Sequence, residues 1–117
     1  MPAKEDIRAL VESYVAAVGR QDLEGTLALF AGDAVQEDPV GTPPNVGREQ
    51  IQGFFEKAYQ TTFSTELTGP VVVTGDHVAF HFTITIPLGE ETMVVRVIDM
   101  ARVGGDGLFA ELRAVVE

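Results

Sequence analysis

Apolar positions along the first part of the chain recur at intervals of three and four, and along the second part at intervals of two. Ile7, Leu10, Val11, Tyr14, Val15 and Val18 form one helical stripe that ends near Gly19. A second, shorter helix is expected after Asp22 as its N-cap, with Leu23, Leu27 and Phe30 inward and a stop at the Gly32–Asp33 turn. Residues 34 to 38 read as extended, because Pro39 disfavours helix in the residue before it, and GTPPNVG reads as a loop. From Arg48, a third helix presents Ile51, Phe54, Phe55, Ala58 and Tyr59 on one side.

Strand patterning takes over after Tyr59. Segments 63 to 68 and 71 to 74 precede a Gly75–Asp76 turn, and Phe80, Phe82, Ile84 and Ile86 then alternate with Ala79, His81, Thr83 and Thr85. PLGEE makes the next hairpin, and GGDG the one after. Leu108, Ala110, Leu112, Ala114 and Val116 give the last strand an apolar face. Helices followed by an antiparallel sheet specify an α+β fold, one domain over residues 1–117, with three helices covering one face of a curved sheet. The other face carries Val94, Ile98, Met100, Phe109 and Val115 among Arg96, Arg102, Glu111 and Arg113. That mixture fits a subunit interface, and a homodimer through the outer sheet face is expected.

One residue breaks the pattern. In VVRVIDMARV, residues 94–103, one face of the strand carries Val95, Val97, Asp99, Ala101 and Val103 and the other Val94, Arg96, Ile98, Met100 and Arg102. Asp99 lies on the apolar face. A slip of one residue would bury two arginines instead, so the register that buries the acid is the better one. Burying an ionised carboxylate without a partner is costly enough that the group takes up a proton, and both nearby arginines are an odd number of residues away.

Composition narrows the chemistry. With 18 acidic against 8 basic residues the net charge is −10, which repels phosphate backbones and argues against a nucleic-acid partner. The absence of cysteine removes disulfides, thiolate metal sites and cysteine nucleophiles together. The charged start, MPAKEDIRAL, and the lack of a long apolar run give no membrane insertion and a cytoplasmic protein as the expectation. His77 and His81 flank a turn without a third ligand, so no metal is expected. VGGDGL lacks the following helix of a phosphate loop, and no Gly-x-Ser-x-Gly elbow occurs.

Three polar groups remain: Tyr14, Asp38 and Asp99. A core tyrosine bonded to a backbone carbonyl is one account of Tyr14, and a turn-opening Asp38–Pro39 dipeptide is one account of Asp38. Taken together they suit catalysis. A neutral carboxylic acid beside a buried phenol makes two donors for an oxyanion developing on a ketone oxygen, and Asp38 is placed to stay ionised and move a proton between carbons.

At EDPVGTPPNVGREQIQGFF, from Glu37 to Phe55, the chain resembles the bacterial Δ5-3-ketosteroid isomerases of the superfamily named after nuclear transport factor two. LTGP at 67–70 and VIDM at 97–100 match in order and spacing. The resemblance implies a cone-shaped fold, Asp38 as base, Tyr14 and protonated Asp99 as oxyanion donors, a steroid substrate and no cofactor. It further implies a pocket lined by Phe54, Phe82, Val95, Leu112 and Val116. Phe30 and Phe55 stand where several relatives back the oxyanion tyrosine with further tyrosines, and Val116 where many carry an aromatic residue. Two other readings are a related enzyme such as an epoxide hydrolase, which needs an arginine in the cavity, and a non-catalytic module binding flat apolar ligands.

Overall fold

The computed structural model describes residues 2–117. Three helices, α1 (Lys4–Gly19), α2 (Leu23–Leu27) and α3 (Arg48–Ala58), lie against a six-stranded sheet in the order β2-β1-β6-β5-β4-β3. The strands are β1 (Phe30–Glu37), β2 (Asn45–Val46), β3 (Ser64–Thr74), β4 (His77–Leu88), β5 (Glu91–Val103) and β6 (Phe109–Val116). Every pairing is antiparallel except β1 with β6, so the architecture is the α+β cone expected from the sequence. Helix α1 packs over β3 and β4, and α3 over β1 and β2. None of the helices is long and apolar enough to cross a membrane among the described residues.

The stripe on α1 is buried as its spacing requires, from Ile7 to Val18. Asp22 caps α2 by accepting from the Gly25 amide at 2.9 Å. That helix is shorter than expected, however, and Phe30 opens β1 instead of closing the helix. A five-residue helix carries little stability of its own. Phe30 gains a parallel partner in Phe109, whose amide donates to the Leu29 carbonyl at 2.9 Å. The expected Gly32–Asp33 turn is a bulge inside β1, at the register shift between Phe30 and Val35. Likewise the two segments before Gly75 are one strand, β3, interrupted in register between Leu67 and Val71. Pro70 has no amide to donate, and β3 is an edge strand where that is tolerated.

Phe109 corrects a further expectation. It was placed on the outer face by counting in twos along the last strand. Arg102 pairs with Glu111 but Val103 with Phe109, so Ala110 is an extra residue that reverses the parity. Phe109 therefore points inward, fully buried, with its ring 5.4 Å from that of Tyr14. The outer face keeps Val72, Val94, Ile98, Met100 and Val115 exposed. Phe109→Ala is expected to lower the unfolding free energy by about 3–5 kcal/mol in urea titrations, as removal of a buried aromatic does. A loss under about 0.5 kcal/mol, typical of a surface site, would contradict the inward placement.

Candidate active site

The site is built on one row of the sheet. Phe80 on β4 pairs with Asp99 on β5, and Asp99 with Ala114 on β6. Glu37 pairs with Arg113, and the Val40 amide donates to the Ala114 carbonyl at 2.8 Å, which brings Asp38 beside Ala114 at the end of β1. Asp38 and Asp99 thus stand two strands apart, about 10 Å between backbones, with Ala114 on the strand between them. β1 ends there because Pro39 cannot continue the ladder. Arg48 donates to the Phe30 carbonyl and ties the start of α3 to the same strand.

Asp99 is 1 % exposed, and neither carboxyl oxygen has a hydrogen-bond partner among the described residues. Burial first, and the nearby Asp38 charge second, push its pKa well above the ordinary carboxylate value. Arg96 and Arg102 cannot compensate it: they lie on the opposite face, paired with Glu117 and Glu111. Asp38 is half-buried and lines the cavity; desolvation raises its pKa to about 6. The two carboxyl groups therefore titrate apart, the buried one holding its proton to higher pH than the half-buried one.

Tyr14 comes from α1 and meets the edges or faces of five phenylalanines, Phe30, Phe55, Phe80, Phe82 and Phe109, at centroid distances of 5.4 to 6.5 Å and steep angles. Burial, then the charges of Asp99 and Asp38, raise its pKa well above 10, so it remains a donor. Phe30 and Phe55 sit 6.0 and 6.5 Å from it and offer no hydroxyl. The nearest other tyrosine is committed elsewhere. Tyr59 lies 2.7 Å from the Thr26 hydroxyl, whose single proton goes to the Asp22 carbonyl at 2.7 Å, so Tyr59 must donate to Thr26. Burial pushes the Tyr59 pKa to about 12.

Between the helices and this row lies an apolar cavity of about 290 Å³, at the small end of the range for small-molecule sites. Tyr14, Asp38, Phe54, Phe82 and Val116 line it, whereas Asp99 is buried outside the lining. Val95 is half-buried against Ile84 and Leu112 is fully buried core, both outside the lining. Tyr59, Phe63, Ile84, Ile86 and Val97 are also in the wall, outside the expected pocket set, although Ile84, Ile86 and Val97 share the strand parity of Phe82 and Asp99. The lining holds no arginine. His77 is exposed and bonded to Asp76 at 2.8 Å, and no metal-binding cluster occurs among the described residues. A depression of about 350 Å³ on the outer face lies across the sheet from the acids.

Both acids make stability depend on pH with a fixed sign. A carboxyl whose folded pKa exceeds its unfolded value retains a proton that the unfolded chain releases, so stability is full below the unfolded pKa and falls as pH rises towards the folded one. For Asp38 the window runs from 3.8 to about 6, and for Asp99 the fall continues above that. Urea denaturation of the parent from pH 4 to 8 should show declining stability, and Asp99→Asn a shallower decline. A parent that gains stability across this range would contradict the assignment.

Comparison with known proteins identifies the family. The model of the SnoaL-like domain matches residues 11–112. A steroid Delta-isomerase from Nocardioides simplex is 36% identical over 109 residues, covering 93% of this chain and 88% of that protein. Epoxide hydrolase LasB from Streptomyces lasalocidi is 32% identical over 120 residues, covering 98% of this chain but 43% of the longer relative. The chain therefore belongs to the SnoaL-like family of the superfamily named after nuclear transport factor two, and is closely related to the bacterial steroid Δ-isomerases.

Proposed function

We propose that the protein is a cofactor-independent isomerase that moves the β,γ double bond of a 3-ketosteroid into conjugation with the ketone. The observation that carries this reading is the buried, unpartnered Asp99 carboxyl within electrostatic reach of Tyr14 and of an ionisable Asp38. Asp38 removes a proton from the carbon between ketone and alkene; the electron pair of that C–H bond moves through the carbonyl to its oxygen, giving a dienolate. Tyr14 and protonated Asp99 donate hydrogen bonds to this oxygen, and in a dry apolar site such fixed donors act more strongly than water does. Asp38 then returns the proton to the far alkene carbon as the carbonyl re-forms. Atoms balance without a cofactor, and the same carboxylate serves both transfers.

The similarity to an epoxide hydrolase supports a second reading, in which the donors hold the epoxide oxygen and Asp38 activates the attacking water. That reading calls for an arginine in the cavity, and the lining holds none. The outer sheet face completes the proposal as the contact with a second copy. On a chain of net charge −10, that face gathers Arg96, Arg102 and Arg113, each already paired with Glu117, Glu111 or Glu37. A copy would meet exposed Val72, Ile98, Met100 and Val115 with little charge to overcome. Light scattering should give a dimer, and a monomer at micromolar concentration would remove this part.

The activity is tested by incubating the protein with an unconjugated 3-ketosteroid and following the ultraviolet band of the conjugated enone. The band should appear quickly, and Asp38→Asn and Asp99→Ala should each reduce the rate roughly a hundredfold or more. The parent kcat/KM should rise with pH about a midpoint near 6, where Asp38 ionises. Absence of the band, with diol formed from an epoxide, would favour the second reading; tight steroid binding with neither product would leave a binding module.

A further inference from the structure

The corner between α1 and α2 is bonded to one wall of the cavity. Gln21, in that corner, is the one non-glycine residue with a positive φ among the described residues, at 50°. Glycine and asparagine take this left-handed region most readily, so a glutamine there is uncommon. Its side chain folds back over the end of α1. The amide Nε2 donates to the carbonyls of Val18 at 3.0 Å and Gly19 at 3.1 Å, in the last turn of the helix. It also donates, at 2.9 Å, to the carbonyl of Phe63, a residue of the cavity wall.

The same corner holds that wall at a second point. Tyr59, whose ring lies 6.2 Å from that of Phe63, donates to Thr26 in α2. The start of β3 is docked on α1 as well. Thr65 donates through Oγ1 to the Val15 carbonyl at 2.6 Å and fills the space that a Cβ on Gly19 would need. Thr62 and Phe63 lie between α3 and β3, ahead of the first rung of the β3–β4 ladder at Ser64 and Thr85. The bond from Gln21 thus fixes Phe63 where neither a helix nor a ladder does.

Register puts Phe63 far from the acids. It is level with Ile86 on β4, whereas Asp99 pairs with Phe80, six residues away on the same strand. Six residues span about 20 Å of strand backbone. A ligand whose ketone is held at the acids therefore meets Phe63 with its opposite end, and a short ketone does not reach it.

We infer that the Gln21 amide, by holding the backbone of Phe63, sets the wall against which the remote end of a long, rigid, apolar ligand is held. Gln21 lies outside the cavity lining. It is a positioning residue that acts on binding through Phe63 and leaves the proton transfers alone.

The inference rests on the reading of this cavity as a ketosteroid site, and its test separates the two. Binding of a conjugated four-ring 3-ketosteroid and of a bicyclic enone is measured by equilibrium dialysis, beside steroid turnover. Gln21→Met keeps the length without the donors. Gln21→Asn is too short to reach Phe63, yet suits the left-handed backbone and should fold at least as well as the parent. Both should weaken steroid binding roughly three- to tenfold and leave bicyclic enone binding and kcat unchanged, so that KM alone rises. With Phe63→Ala in place, Gln21→Met should add little, because the tether then has no ring to position. Unchanged steroid affinity in both Gln21 variants, an equal loss for both ligands, or full additivity with Phe63→Ala would overturn the inference. So would a parent that binds no steroid. The expected binding pattern in a protein that does not isomerise the steroid would keep the inference while removing the isomerase reading.

Discussion

A carboxyl group with no partner sits under the helices of this protein, and most of what is distinctive about the site follows from the need to keep it neutral. Asp99 is held on the inward face of β5 by pairing on both sides, with Phe80 and with Ala114. Its own strand gives it no cation, because the alternation that turns it inward turns Arg96 and Arg102 outward to their glutamate partners. Burial alone would leave an acid that is simply protonated. Asp38 adds a negative charge within electrostatic reach and holds the proton on Asp99 more firmly. The neighbouring phenol is insulated by five aromatic rings and stays protonated for the same reason. The two acids are thus separated by solvent exposure and not by residue type.

The sheet makes this arrangement possible at modest cost to the rest of the fold. Parallel pairing of β1 with β6 brings the end of β1 beside Ala114, on the strand between the two acids. The bulge at Ala110 turns Phe109 inward to support Tyr14, while the residues beyond it resume the parity that carries Leu112, Ala114 and Val116 to the inner side. Without that extra residue, either Phe109 or the strand end lining the cavity would face outward. The irregularities fall in the β1–β6, β3–β4 and β5–β6 pairings, while the β4–β5 ladder that carries Asp99 is unbroken from end to end. Register is therefore firmest where a one-residue slip would be most damaging.

Much of this was legible in the sequence wherever a period ran unbroken. The α1 stripe and the β5 alternation placed Tyr14 and Asp99 on inward faces, because each needs only one element to be read in phase. Phe109 was misread because a bulge changes phase without any sequence mark as clear as a glycine or proline. Phe30 was misread because a five-residue helix and the strand after it share apolar residues that fit either period. The burial of Gln36 went unnoticed, although Ala34, Gln36 and Asp38 share one parity and a polar residue between two inward positions is the same signal that exposed Asp99. Tyr59 and Phe63 lie in the segment between α3 and β3, where neither the helical nor the strand period applies, so patterning does not say that they face the cavity.

The central claim is that Asp99 is a neutral acid in the empty site. Infrared difference spectroscopy of the parent against Asp99→Asn at pH 7 tests it directly. The account predicts that the parent shows the carbonyl stretch of a protonated carboxylic acid that the variant lacks. A carboxylate band lost in its place would contradict it.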